Sequence, residues 1–339
     1  MPPGGTRGKA KQALEHERRT CYAYAVECAP GGRRSASEGV WLWPWERGTM
    51  RDKVLPIRGF LIHITHYDPV WYKRKAREKP FDLKVAFEIV DAMAEADMNL
   101  LVIDVEDGVR FKSHPELRRR YSVPMGQLRR LVQRARANGL EVVPKLNFAH
   151  SSSQYHNEWF RPHNRYFDSE QYWKLAFELI DELIGACEPE RFFHVGMDED
   201  MDRSHRQYAD AVIALATGLK GRGLRAVMWK DIPIICPGLW EAPGEKSRAA
   251  EKTTPRDVVQ VPWGYREANP ELVRHLRRKG FEVWGATGGR PDLVREWRDA
   301  VLRYGGTGIL LTAWRPCRPG NRKAMLNQIR TCGPLCKEG

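Results

Sequence analysis

From residue 56 onward the chain alternates between two kinds of segment. Short runs rich in Val, Ile and Leu are each followed by a longer stretch whose apolar residues recur at helical spacing. The runs are Ile57–Ile62, Leu100–Val105, Leu140–Leu146, Phe192–Gly196, Leu224–Trp229, Val258–Val261, Phe281–Trp284 and Gly308–Thr312, eight predicted strands. Among the helical stretches, Phe81–Ala96 places Val85, Ile89 and Met93 four apart, with Val90 on the same side. Ser122–Asn138 stops at Asn138-Gly139, a helix-ending signal. Glu170–Ala186 carries Leu175, Leu179, Ile180 and Leu183, while Tyr208–Lys220, Pro270–Lys279 and Pro291–Tyr304 each run into a glycine.

Strand then helix, repeated about eight times over roughly 280 residues, is the arithmetic of an α/β fold of the (β/α)8 TIM barrel type. A doubly wound open sheet is the competing architecture. The count of eight and the lack of a Gly-x-Gly-x-x-Gly after the first run favour the barrel. Residues 1–55 read as an irregular leader, with Gly, Pro, Arg and Ser prominent and a run Trp41-Leu42-Trp43-Pro44-Trp45. Its alternate tryptophans suit either docking on the main body or a carbohydrate-stacking platform. The expected organisation is this leader, a catalytic barrel over 56–330 and a short tail over 331–339.

Composition narrows the class. Hydrophobic residues make up 42% and aromatics 10%, too rich for a disordered chain. No apolar run reaches the roughly 18 residues a membrane span needs. The first thirty residues lack the apolar core of a secretion signal, so a cytoplasmic protein is expected. The seven cysteines are scattered and odd in number, which points to thiols and not to a disulfide framework. Neither a cofactor motif nor metal-ligand spacing stands out, so no cofactor and no metal are expected. The net charge of +13 suggests a polyanionic partner. However, the arginines of 129–136 share a helix with the apolar stripe Leu128, Leu131, Val132 and Ala135, so they form its solvated face. With no nucleic-acid signature either, neither nucleic acid nor membrane is expected as a partner.

A barrel places its chemistry where strands end. The fourth run leads into His194-Val195-Gly196-Met197-Asp198-Glu199-Asp200, and acids leaving a buried run are costly unless paired or used. The third run leads to Asn147 and His150, and the second to Asp104, Glu106 and Asp107. The fifth ends in Trp229-Lys230-Asp231, the sixth in Trp263-Gly264-Tyr265, the seventh at Trp284 and the eighth at Trp314-Arg315. Tryptophan at four strand ends, mixed with carboxylates, predicts a lined pocket suited to sugar rings.

This series resembles the family-20 glycoside hydrolases, the β-N-acetylhexosaminidases. His194-x-Gly196-x-Asp198-Glu199 is similar to that family's His-x-Gly-Gly-Asp-Glu signature. Arg58-Gly59-Phe60-Leu61, Asn99-Leu100-Leu101 with Asp107, His114-Pro115-Glu116-Leu117, Gly139–Pro144 through His150, and Trp229 resemble further family segments in the same order. The resemblance covers about Arg58 to Trp314. It implies a retaining, substrate-assisted mechanism on β-linked N-acetylhexosamine, in which the substrate's own 2-acetamido oxygen is the nucleophile. Glu199 would be the general acid and later the base, and Asp198 would hold the acetamido N–H. Arg58 would bind sugar hydroxyls, Trp229, Trp263 and Trp314 would wall the pocket, and Tyr265 is the candidate donor to the acetamido oxygen. Asp107 and Asp231 join them as substrate-binding candidates. His150 and His194 are either organisers of the site or satisfied core histidines.

The departures from the family pattern bear on substrate. His63 stands where the family's first strand ends in Asp. Val102, Asp104, Lys145, Asn147 and Met197 replace other characteristic residues, and the closing Trp-x-Glu reads Trp314-Arg315-Pro316. Lys145, Lys230 and Arg315 at strand ends suggest an anionic group on the substrate. Two alternatives stand beside the hydrolase: a catalytically impaired carbohydrate-binding barrel, and a glycosidase of different sugar specificity.

Overall fold

The structure is a computed structural model that describes residues 54–65, 78–152, 156–232 and 241–337. The Trp41–Trp45 run and nearly all of the leader lie outside the described residues.

Eight parallel strands form the centre: β1 (Ile57–His63), β2 (Leu100–Asp104), β3 (Glu141–Lys145), β4 (Phe192–His194), β5 (Arg225–Lys230), β6 (Val259–Pro262), β7 (Trp284–Thr287) and β8 (Gly308–Pro316). They pair in the order β6-β5-β4-β3-β2-β1-β8-β7. Bridges Gln260↔Val283 and Trp263↔Ala286 join β6 to β7 and close the ring. The chain is therefore a (β/α)8 barrel. A two-residue parallel pair, Val109–Arg110 with Val123–Pro124, decorates the loop after β2.

Side chains alternate along each strand. In β1, Ile57 and Leu61 join Val102, Val143, Val227, Val261 and Leu310 inside the barrel. Phe60 and Ile62 face the helices instead. Strands buried on both faces read as continuous apolar runs, which is why they are visible in the sequence. Fully burying one such side chain is worth roughly 1.5–3 kcal/mol.

The helices are α1 (Leu83–Glu95), α2 (Met125–Ala137), α3 (Glu170–Cys187), α4 (His205–Lys220), α5 (Glu241–Ala250), α6 (Pro270–Arg278), α7 (Pro291–Arg303) and α8 (Pro319–Cys332). Their starts are chemically marked. Asp82 accepts from the backbone N–H groups of Lys84 and Val85, Ser169 accepts from Tyr172, and Ser204 with Gln207 forms a capping box. α5 escapes the periodic reading because Pro243 and Gly244 sit in its first turn and its composition is largely polar. α8 runs beyond the expected boundary at 330, and a following turn buries Leu335 and Cys336. On α2, Arg134 pairs with Asp91 and Arg136 with Glu188, so these positive charges meet acids of neighbouring helices.

The seventh strand departs from expectation. Trp284 opens β7 instead of ending it, so its side chain lies at the N-terminal end of the barrel. There it packs edge-on against Phe192 at 5.1 Å, and its indole N–H reaches Glu282 and Thr307. The strand continues through Gly285, where a Cβ would meet the Trp297 ring at 2.5 Å. A small residue is required there, and that hides the strand from an apolar search. The expected rim of four tryptophans is thus a rim of three. Among the described residues Cys187, Cys317, Cys332 and Cys336 are buried free thiols, and no described helix is long and apolar enough to cross a membrane.

Candidate active site

Past His194 the backbone turns abruptly. Gly196, Met197 and Glu199 all have left-handed φ, at 71°, 72° and 53°. For the two non-glycine residues this costs about 1 kcal/mol or more each, so the turn must be held from outside. Asn147, just beyond β3, does much of that. Its Oδ1 accepts the N–H groups of Met197 (3.1 Å) and Ala149 (3.0 Å). A Cβ on Gly196 would lie 2.1 Å from that same oxygen. Tyr208 donates its hydroxyl to the Met197 carbonyl at 3.0 Å, and Trp159 donates its indole N–H to the Asn147 carbonyl at 2.9 Å.

The turn presents Asp198 and Glu199. With the Asn147 side-chain oxygen fixed by two backbone donors, its amide N–H2 faces the site. It donates to Asp198 Oδ1 at 2.8 Å and approaches His156 Nδ1 at 3.2 Å. A donor at Nδ1 assigns the proton of a neutral His156 to Nε2, which lies 3.1 Å from Glu199 Oε2. Burial, with the Asp198 charge adding to it, pushes the Glu199 carboxyl up, while His156 pulls the other way.

Asp231, one residue past β5, is buried beneath them. Its Oδ2 accepts the Glu199 backbone N–H at 2.9 Å, and its Oδ1 accepts the Trp263 indole N–H at 3.3 Å. Burial first, then the charges of Asp198 and Glu199, drive its carboxyl well above the usual range. With Asp198 and Glu199 beside it, the Asp231 carboxyl holds its proton more tightly than an exposed aspartate does.

An aromatic wall stands opposite. Trp229 packs on His194 at 4.6 Å between ring centroids and on Trp314 at 6.2 Å. Tyr265 accepts the Trp314 indole N–H at 2.7 Å and meets Thr312 Oγ1 at 3.0 Å, while Thr312 donates to the Thr287 carbonyl. The Tyr265 proton is therefore committed to Thr312 in this state. Burial raises the Tyr265 hydroxyl and keeps it neutral. Trp263 lies 5.8 Å from Tyr265 and links this wall to Asp231.

A polar row crosses the barrel below the site. Strand register aligns His63 with Asp104, Asp104 with Lys145, and Lys145 with His194. Asp104 Oδ2 lies 2.6 Å from Lys145 Nζ and 3.1 Å from His63 Nδ1, all buried. Burial works against the Asp104 charge, yet Lys145 and His63 outweigh it and hold the carboxyl down at about 2. Burial also opposes the Lys145 charge, and Asp104, Glu106 and Asp198 keep it raised. His194 accepts the Gly196 N–H on Nδ1, and its burial pushes the imidazole well below its ordinary value. Lys230 is also enclosed, against Glu251 (2.8 Å) and the Ser247 carbonyl (2.7 Å). Two of the three basic residues expected to meet an anionic substrate are thus spent inside the protein, and only Arg315 is exposed.

The structure brings together Asp198, Glu199, Asp231, Trp229, Trp263, Tyr265 and Trp314, with His194 beneath them. Three expected residues fall elsewhere. Arg58 stands at the N-terminal end of β1, where its guanidinium bonds the Leu55 and Asp97 carbonyls. It is the second residue of the strand, a strand-length from the site. Asp107 braces the loop after β2, accepting from Tyr121 at 2.8 Å with Arg119 at 3.6 Å. His150 clamps two loops, with one ring nitrogen on Asp202 and the other on the Asn164 carbonyl. His156 and the bracing role of Asn147 carry no sequence signal. Both lie in the aperiodic stretch after β3, and only folding places them against the turn after β4.

No protein-family model matches the chain, and no curated protein matches it in sequence. Solved structures do match its fold. An N-acetyl-β-hexosaminidase from Streptomyces plicatus, in complex with Thio-NAglucal, superposes with a TM-score of 0.61 at 13% identity, over 84% of this chain and 64% of that one. A chitobiase from Flavobacterium johnsoniae gives 0.60 at 16% identity, over 84% and 48%. A family-20 exo-β-N-acetylglucosaminidase from Vibrio harveyi, in complex with N-acetylglucosamine, gives 0.59 at 11%, over 84% and 55%. The chain thus spans about half to two thirds of the length of these proteins. It shares their fold at 11–16% sequence identity.

Proposed function

We propose that the protein is a glycoside hydrolase acting on β-linked N-acetylhexosamine by a retaining, substrate-assisted mechanism. The observation that carries this reading is the pairing of Asp198 and Glu199 on one strained turn, each with its own partner. Asn147 bonds Asp198, and His156 bonds Glu199. Adjacent carboxylates cannot stand on opposite faces of one anomeric carbon, as an ordinary retaining pair must. They suit a reaction in which the substrate brings its own nucleophile.

In this reading the sugar ring lies against the tryptophan wall. Asp198 accepts the acetamido N–H on Oδ2, which takes no hydrogen bond among the described residues. The acetamido carbonyl oxygen attacks C1, the glycosidic C–O bond breaks with its electron pair, and Glu199 gives its proton to the leaving oxygen. The positive charge of the cyclic intermediate spreads toward the N–H held by Asp198. Glu199, now a carboxylate, takes a proton from water as the water attacks C1 and the ring opens. Burial raises the Glu199 carboxyl, the direction that proton donation in the first step requires. Asp231 as nucleophile fits less well, because burial raises its carboxyl and both its oxygens are engaged.

The test compares aryl β-glycosides of N-acetylglucosamine, N-acetylgalactosamine and glucose, with the wild type, Glu199→Gln and Asp198→Asn. Cleavage of acetamido sugars alone, lost in both variants, supports the mechanism. Equal cleavage of the glucoside refutes substrate assistance, and binding of the acetamido sugar without turnover points to a carbohydrate-binding barrel.

A further inference from the structure

A second cluster lies away from the carboxylate turn, between the loops after β2 and β3. Glu116 Oε1 receives two imidazoles at once: His114 Nδ1 at 2.9 Å and His163 Nε2 at 2.7 Å. The other nitrogen of His114, Nε2, lies 2.8 Å from Glu178 Oε2 on α3. His114 thus bridges two carboxylates, one through each ring nitrogen. A metal ion held at Nδ1 leaves Nε2–H to donate to Glu178. Carboxylate to histidine to metal is the usual outer-shell arrangement that orients a ligating imidazole.

We propose that His114, Glu116 and His163 bind a divalent transition-metal ion, with zinc the best match. One ligand atom from each lies within 4.8 Å of the other two. A tetrahedral zinc ion with bonds of about 2.0–2.2 Å separates its ligand atoms by roughly 3.3–3.6 Å, so small side-chain shifts admit the ion. Two imidazoles and one carboxylate suit zinc chemically, and water fills the fourth position. The cluster is reachable: Glu116 is 39% exposed and His163 22%, while His114 is 8% exposed. Its frame is fixed beforehand. Glu182 on α3 accepts the backbone N–H groups of Lys112 (2.6 Å) and Ser113 (2.9 Å), just before His114. Arg119 also reaches the Arg161 carbonyl at 3.1 Å, tying the two loops. The bound ion fastens the loop after β3 to the loop after β2, and that same loop carries His156, the partner of Glu199.

The experiment uses the untagged full-length chain after chelation and dialysis. Zn2+ is titrated by calorimetry, and Co2+ by its visible d–d absorption. The expected result is one ion per chain with micromolar or tighter affinity and the strong absorption of a tetrahedral site. Glu116→Gln and His163→Ala should each abolish that absorption. Glu178→Gln removes no ligand and should weaken binding about ten- to a hundredfold. His275→Ala disrupts a different His–Glu pair and should leave binding unchanged. Circular dichroism verifies that each variant is folded. No binding to the wild type, or binding that survives both Glu116→Gln and His163→Ala, overturns the proposal.

Discussion

His156 Nε2 lies 3.1 Å from Glu199 Oε2, although the two residues are 43 positions apart and come from different loops. The imidazole pulls the Glu199 carboxyl down while burial and Asp198 push it up. The net position is raised, as a proton donor near neutral pH requires.

His156→Ala should therefore move Glu199 further up. In the proposed mechanism the alkaline limb of kcat/KM marks the loss of the Glu199 proton. That limb should shift to higher pH in the variant, with little change in the acid limb. Measuring kcat/KM against pH checks it, and an unchanged profile would show that His156 does not act on Glu199.

Asp231→Asn should lower kcat modestly, because the amide oxygen can accept from only one of the two N–H donors, Glu199 and Trp263, that the carboxyl oxygens now hold. Glu199→Gln, by contrast, should lose about 10²–10⁴-fold in kcat on natural leaving groups. The raised Asp231 also predicts a stability trend. Above the unfolded carboxylate value of about 4 the folded state holds a proton that the unfolded chain releases, so wild-type stability falls as pH rises. The variant lacks that fall. Its stability relative to wild type should climb with pH in parallel urea titrations.

Asp104→Asn should destabilise by about 3–5 kcal/mol, since it leaves the Lys145 ammonium buried without its charge partner. Replacing both residues with Asn and Met should cost less than the single change. The depressed Asp104 carboxyl contributes stability that is complete above the unfolded value and is lost as pH falls from about 4 to about 2. The wild type should show this acid-side slope and Asp104→Asn should not, as followed by denaturant unfolding.

Gly196→Ala should damage both fold and site. The new methyl would overlap Asn147 Oδ1 at 2.1 Å, and the residue would carry a φ of 71°. A loss of about 2 kcal/mol or more is expected from strain and displacement together. Because Asn147 also bonds Asp198, kcat should fall with little change in KM. Thermal unfolding and steady-state kinetics on acetamido sugars test the two effects separately.

The barrel was largely legible along the chain, because strands buried on both faces advertise themselves as apolar runs and helices by their spacing. β7 shows the limit. Gly285 is small because Trp297 and Val301 press against it, and that demand comes from packing. The strand therefore extended beyond its apolar run, and Trp284 moved from the rim to the opposite end. α5 was hidden in the same way by its polar composition.

Within the site, Asp198, Glu199 and the rim aromatics could be named from the sequence, since acids leaving an apolar strand are conspicuous wherever they fold. Arg58 was misplaced because a motif does not say at which end of its strand a residue stands. Local periodicity and strand-end chemistry thus determined the barrel and its carboxylates. Only the tertiary structure decided that Asn147 and His156 brace them, that burial raises the Asp231 carboxyl, and that Lys145 and Lys230 are paired internally. The physical reason is that strand and helix patterns are short-range, whereas hydrogen bonds between loops and the burial that shifts a carboxyl depend on residues brought together from distant parts of the chain.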